Sequence, residues 1–196
     1  MEHEPPEAGT RDAREDRLVD RARRGDAEAF GRLYELHLDR IYRYVYYRVG
    51  SSNEAEDLTE HVFLKAWEAM GRYESRGLPF AAWLYRMAHN AVIDHYRARR
   101  LTTSIDETFD LEDERQNPVA SAEAVVDREE LKVAIRRLNS DQQTVILLRF
   151  TEGLSHAEVG RILGKSEGAV RVIQHRALGV MGKFLRSLPS AATVDA

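Results

Sequence analysis

Apolar residues recur along most of this chain at steps of three and four, the spacing of one face of an α-helix. No stretch has the strict alternation of a half-buried strand. The pattern sets in at "EDRLVDRARR", from Glu15, and stops at Gly25, with Asp26 placed to cap the next helix. That helix puts Phe30, Leu33, Tyr34, His37, Ile41, Tyr44, Val45 and Arg48 on one side and stops near Gly50. Asn53 and Glu56 have capping-box spacing and predict a third helix that buries Leu58, Val62, Ala66 and Trp67. A loop, "RYESRGLPF", leads to a long helix from about Phe80 to Arg100, with Phe80, Leu84, Met87, Ala88, Ala91 and Val92 turned inward.

The pattern then lapses. "TTSIDETFDLEDERQNPVASAEAVV" is poor in large apolar residues and broken by Pro118, as expected of a linker. Helical spacing resumes over Arg128–Leu138, Asp141–Phe150, His156–Leu163 and Glu167–Leu185. Ser140 with Gln143, and Ser155 with Glu158, fit capping boxes, and Ser166 stands before the last helix. The expected fold is all-α: two small helical domains, residues 15–100 and 128–187, joined by a flexible acidic linker, 101–127. Residues 1–14, rich in Glu and Pro, read as a disordered tail, and 188–196 as a second tail.

Charge sharpens this division. The 196 residues have a formal net charge of −4 and a pI near 6.0, but the charge is unevenly placed. Leu101 to Glu130 holds ten acids against Arg115 and Arg128, whereas Leu131 to Arg186 holds ten bases against four acids. An acidic average therefore hides a basic C-terminal module. There is no cysteine, which excludes disulfides, thiolate catalysis and cysteine-ligated zinc. No apolar run approaches the ~20 residues of a membrane span, and the N-terminus has no signal-peptide pattern, so a cytoplasmic protein is expected.

The basic module spells a helix-turn-helix: Ser155–Leu163, then "GKS", then the helix from Glu167. Val159, Ile162, Leu163, Val170, Ile173 and Ala177 can lock its two helices, with Gly164 as the turn. Glu167, Gly168, Arg171, Val172, Gln174 and His175 remain for the outer face. Arg171 and Gln174 can bond base edges at two points, and Val172 can touch a thymine methyl. Lys165 and Ser166 stand where a helix N-terminus holds phosphate. The bland alternative is a helical corner with a solvated face, which the basic balance disfavours.

In the first domain Arg86, Asn90, Ile93, Arg97 and Arg100 form one stripe on the long helix, with Arg99 nearby. Trp83, Tyr85, His89, His95 and Tyr96 interleave rings with these cations. Cations that follow a backbone and rings that stack on unpaired bases suit single-stranded nucleic acid. Trp83 and Tyr85 could equally be core. The preceding helix turns Asp57, Glu60, His61, Leu64 and Glu68 outward, a face fit for a basic protein partner or simply for water. His89, Asp94 and His95 do not converge on one face, so no metal, cofactor or catalytic residue is expected. A lone DNA-binding regulator would usually dimerise, yet no dimerisation seam is evident and no obligate homo-oligomer is expected.

Three blocks, "NEAEDLTEHVFLKAW", "FAAWLYRMAHNAVIDHYRARR" and "LNSDQQTVILLRFTEGLSHAEVGRILGKSEGAVRVIQHRAL", resemble in order and spacing the bacterial sigma factors of the extracytoplasmic-function (ECF) type. The resemblance implies a dissociable subunit of RNA polymerase that recognises −35 and −10 promoter elements and promotes DNA melting. It implies a region 2 domain over 15–100 and a region 4 domain over 128–187. By it, Asp57, Glu60, His61 and Leu64 meet core polymerase, with the β′ clamp helices and the β flap as its implied contact surfaces. Glu60 departs from the glutamine usual there. Trp83, Arg86, Asn90, Arg97, Arg99 and Arg100 fall on the −10 face. Lys165, Ser166, Glu167, Arg171, Val172, Gln174, His175 and Arg176 fall on the −35 face. An anti-sigma factor is a further implied kind of partner, which no residue names. Melting would draw on captured bases, since no phosphate-cradling Gly-rich loop is present.

Overall fold

The computed structural model describes residues 8–75, 77–102 and 130–187, with side chains from Ala13 onward and none for 100–102. Most of the expected tails and linker, and the side chain of Arg100, lie outside the described residues. Among those residues every regular element is helical, in two compact units.

The first unit contains α1 (Ala8–Arg23), α2 (Ala27–Val49) as far as Val45, α3 (Ser52–Ala69), a 3-10 turn η1 (Met70–Arg72) and α4 (Phe80–Thr102). Helix α1 starts inside the expected N-terminal tail. Ala8, Ala13 and Arg14 are good helix formers, which lets the helix begin this early. Gly25 takes a positive φ of 88° and closes α1. Asp26 then caps α2 as expected: the Ala29 N–H donates to its Oδ1 at 3.0 Å, and Arg21 Nε donates to Oδ2 at 2.8 Å. These two bonds, the Ala29 one foremost, hold the Asp26 carboxyl below its ordinary range. Helix α3 begins at Ser52, one residue before the expected Asn53 cap.

Burial follows the 3.6 period. Leu33, His37, Ile41, Tyr44 and Val45 of α2, Ala55, Val62, Phe63 and Ala66 of α3, and Phe80, Leu84, Tyr85, Ala88 and Val92 of α4 are all buried. Several rings of this core pack against one another. The Tyr44 and Tyr85 rings meet at 5.4 Å, Tyr34 and Phe63 at 4.8 Å, and Tyr73 touches both Phe80 and Trp83, at 5.4 and 4.7 Å. His37 sits in the same core, 5.6 Å from the Phe80 ring, with its Nε2 3.2 Å from Glu15 of α1. Trp67 departs from expectation: it rests on Phe30 at 5.0 Å but stays 37% exposed, because its position on α3 lies at the rim of the buried stripe.

The second unit contains α5 (130–136), α6 (Ser140–Phe150), α7 (His156–Leu163) and α8 (Glu167–Ser187). Helix α8 packs on both α6 and α7. Ala134, Ile135, Leu138, Val145, Leu147, Leu148, Val159, Ile162, Val170, Ala177 and Met181 make its core. The capping box of α6 is Asn139 with Gln142, one residue earlier than expected. Gln143 is buried instead and donates from Nε2 to the Ile135 carbonyl at 3.1 Å. A buried amide needs such a partner, so the α5–α6 turn is fixed one residue back.

Tyr73 supplies a pH probe of the first unit. Burial pushes its hydroxyl up to about 12 from an ordinary 10, with Asp16 and then Glu15 adding and Arg23 opposing. A folded value above the unfolded one means the contribution is complete below pH 10 and is lost as pH climbs through about 12. Urea midpoints should therefore fall across that window, and Tyr73→Phe should remove that part of the fall. An undiminished fall in the variant would exclude Tyr73 as its source.

Candidate promoter-DNA and polymerase interfaces

The helix-turn-helix is held by backbone chemistry at its corner. Ser155 and Glu158 form the expected capping box on α7, with Glu158 N–H donating to Ser155 Oγ at 3.2 Å and Ser155 N–H donating to Glu158 Oε2 at 2.7 Å. Gly164 ends α7 in the left-handed region, φ 67° and ψ 33°. Lys165 N–H then reaches back to the Gly160 carbonyl at 2.8 Å. Gly160 is the residue that sequence reading missed here. A Cβ at that position would lie 2.6 Å from the Lys165 carbonyl oxygen, so the turn can fold this tightly only over glycine.

Helix α8 leaves this corner with Ser166 Oγ accepting from Ala169 N–H at 3.2 Å. Val170, Ala177 and Met181 are buried, which turns Glu167, Gly168, Arg171, Val172, His175 and Arg176 outward together. Arg171 donates to Glu167 one turn back, and that bond, more than the bare charge, holds the Glu167 carboxyl below its ordinary range. Val172 is 49% exposed, as a thymine-methyl contact requires.

Two expected contact residues are engaged inside the unit. Lys165 Nζ pairs with Asp141 of α6 at 3.0 Å. Gln174 is half-buried, and its Oε1 accepts from Arg149 Nε at 3.3 Å and bonds His156 Nε2 at 2.9 Å. Arg149 also donates to the Leu154 carbonyl. This knot of α6, α7 and α8 was not legible beforehand, because three separated residues meet only in the fold. A two-point contact by Gln174 needs that knot to open.

In the first unit α4 sorts its residues sharply. Tyr85 is wholly buried and belongs to the core, and His89 is nearly so. Trp83 is half-buried, its ring tilted against those of Tyr73 and Phe80. Arg86, Asn90 and Arg97 of the expected stripe are exposed, as is Arg99 beside it, whereas Ile93 is half-buried and the side chain of Arg100 lies outside the described residues. The exposed arginines differ in company. Arg97 is 75% exposed beside an equally solvated Asp94, whereas Arg99 turns toward α3, 3.4 Å from Glu54.

On α3 Asp57, Glu60, His61 and Leu64 are all exposed and share one face. Leu64, at 56%, is an apolar side chain standing free in an acidic surround. Trp67 extends this face with an apolar edge that sequence reading assigned to the core.

Among the described residues no three histidine or carboxylate groups gather as a metal site, and no helix is long and apolar enough to cross a membrane. Residues 33–102 match Sigma-70 region 2, and residues 134–181 match Sigma-70, region 4. Over 93% of its length the chain is 42% identical to the ECF RNA polymerase sigma factor BldN of Streptomyces coelicolor, covering 70% of that protein. The chain belongs to the ECF RNA polymerase sigma factors.

A further sigma factor of this type, SigX of Bacillus subtilis, is 31% identical over 82% of the chain and 86% of its own length. The fold is also that of the sigma factor RpoE of Bartonella quintana, solved with the anti-sigma factor NepR. That likeness has a TM-score of 0.67 at 20% identity, covering 83% of this chain and all of the other. A sigma factor is a regulatory subunit that recognises promoter DNA for RNA polymerase, and the two helical units here are its regions 2 and 4.

The corner makes a direct test. Gly160→Ala forces a methyl against the Lys165 carbonyl, and overpacking of this kind costs about 1–3 kcal/mol. Thermal unfolding should show that loss together with weaker upstream-element binding. Wild-type stability in the variant would mean that the α7–α8 turn can relax.

Proposed function

We propose that the three outward faces divide the work of a sigma factor. The α8 face reads the −35 element through Arg171, Val172, His175 and Arg176, with Glu167, Lys165, Ser166 and Gln174 framing it. The α4 face, Arg86, Asn90, Arg97, Arg99 and Arg100 with Trp83 at its edge, takes the −10 element and its unpaired bases. Asp57, Glu60, His61 and Leu64 of α3 dock on the β′ clamp helices, and the region 4 unit meets the β flap. The domain limits proposed are 15–100, extended back to the start of α1 at Ala8, and 128–187, with the acidic 101–127 as linker.

The observation that supports this best is the outward grouping of Arg171, Val172, His175 and Arg176, fixed by burial of Val170, Ala177 and Met181 on the same helix. A donor fork, an apolar contact and further cations on one exposed helical face match the chemistry of a major-groove edge. The acid-rimmed Leu64 supports a protein partner rather than nucleic acid on α3, since phosphate is repelled there. Bond making and breaking belong to the core polymerase, and this chain supplies binding and base capture without a metal or cofactor of its own. Its place of action is the cytoplasm, where polymerase works. An anti-sigma factor is a proposed regulator, on the ground that a relative was solved with one.

Purified chain plus core polymerase should start transcripts from a promoter selected by that holoenzyme, whereas either component alone should not. Arg171→Ala should cost about 1–3 kcal/mol of upstream-element recognition and leave core binding unchanged. Failure of the wild-type chain to bind core polymerase would overturn the reading. Loss of core binding in the variant would overturn the face assignment alone.

A further inference from the structure

The C-terminal half of α4 is less uniformly available to nucleic acid than its sequence suggests. Glu54, in the first turn of α3, brings its Oε1 within 3.4 Å of Arg99 Nη1 and its Oε2 within 3.6 Å of His95 Nε2. His95 and Arg99 are four residues apart on α4, so one carboxylate bridges two adjacent positions of the helix. The His95 Nε2 atom is shielded from solvent and makes no hydrogen bond, which leaves the nearby Glu54 carboxylate as its electrostatic neighbour.

Glu54 is partly sheltered in this place. Its position at the start of α3 suits an acid, because the helix dipole favours negative charge there. Its side chain is 32% exposed, far less than the 71% of Asp94 beside Arg97. Arg99 is likewise less exposed than Arg97, 46% against 75%. The two arginines therefore differ: the acid beside Arg97 is on its own helix and strongly solvated, and the acid beside Arg99 is on another helix and less exposed.

We propose that Glu54 is a resident counter-ion for Arg99, occupying the guanidinium that a DNA phosphate would otherwise take and so restraining region 2 from binding single strands. The inference rests on the reading of α4 as the −10 face. A carboxylate and a phosphate oxygen present the same acceptor chemistry to a guanidinium, so they compete for one fork of donors. At an exposed pair the interaction is worth little, which makes it displaceable and suits a brake rather than a lock. Glu54 touches neither DNA nor polymerase in this scheme. It acts through Arg99 and is a positioning residue.

The test uses reconstituted holoenzyme and a fluorescent single strand copied from the non-template −10 region of a promoter that it selects. Glu54→Gln should tighten binding by about two- to fivefold at low salt, the range of one exposed ion pair. The slope of log K against log salt should steepen by about 0.7, one added phosphate contact on a single strand. Glu54→Asp, which keeps the charge and the helix-start acid but shortens the reach, should give the same direction of change. In an Arg99→Ala background neither substitution should have an effect.

An unchanged slope in Glu54→Gln, or a gain that persists without Arg99, would overturn the proposal. Weaker binding would overturn it too, since Glu54 would then be aiding Arg99. Thermal unfolding of each variant is read alongside, and Glu54→Asp decides the matter should Glu54→Gln fail to fold. Arg86→Ala and Arg97→Ala separate this inference from its basis. If both leave binding untouched, α4 is not the DNA face; if they weaken it while Glu54→Gln changes nothing, only the counter-ion role falls.

Discussion

The rotation of α4 about its own axis is the constraint from which the first unit follows. Phe80, Leu84, Ala88 and Val92 recur every four residues and are sealed, with Tyr85 wholly buried beside them. Burying a side chain of the Leu or Val kind is worth about 1.5–3 kcal/mol, and several act on this one helix. A turn of the helix by even one residue's angle would bring Arg86 toward the core, where an unpaired charge is expensive. The exposed Arg86–Asn90–Arg97 side thus needs no support of its own. The apolar side aims it.

The same logic places α8, but a backbone constraint comes first. Val170, Ala177 and Met181 fix its rotation, while its angle to α7 depends on a corner too tight for any Cβ at position 160. Gly164, at positive φ, lets the chain reverse, and the bond from Lys165 N–H to the Gly160 carbonyl closes the turn. The Gln174–His156–Arg149 knot then braces the second helix against the other two. Polar braces at such a crossing favour one geometry over its neighbours more than they add stability.

How much of this was legible depended on whether a feature is local. Asp26, Ser155 and Ser166 act as the caps their sequence contexts predict, because a cap is decided within four residues. Asn139–Gln142 and Ser140–Gln143 are equally good boxes by spelling, and only burial of Gln143 chooses between them. Tyr85 and Trp83 look alike two residues apart on α4. Their fates differ because Tyr44 covers one, whereas Tyr73 and Phe80 leave the other half open. Trp67 was misplaced because its helix offers more apolar residues than its buried stripe can hold. The outward faces of α3, α4 and α8 were legible from periodicity. Gln174, Lys165 and Arg99 were not fully so, since their partners lie 18, 24 and 45 residues away.

Those partners bear on why a basic face can belong to an acidic protein. Beside several cations of the two proposed DNA faces stands an acid: Glu167 by Arg171, Asp141 by Lys165, Asp94 by Arg97, Glu54 by Arg99. Bare cations would bind any DNA by counterion release, in proportion to the phosphates they neutralise. A cation that already has an anion gains only the difference between two partners, so the nonspecific part of the affinity shrinks. Base-edge contacts do not shrink with it, because a guanidinium held by Glu167 is oriented rather than spent. In the proposed scheme two such faces act together once polymerase fixes the distance between them, as linked sites raise each other's effective concentration. Half-neutralised faces therefore suit a subunit that should read promoters only as part of its enzyme.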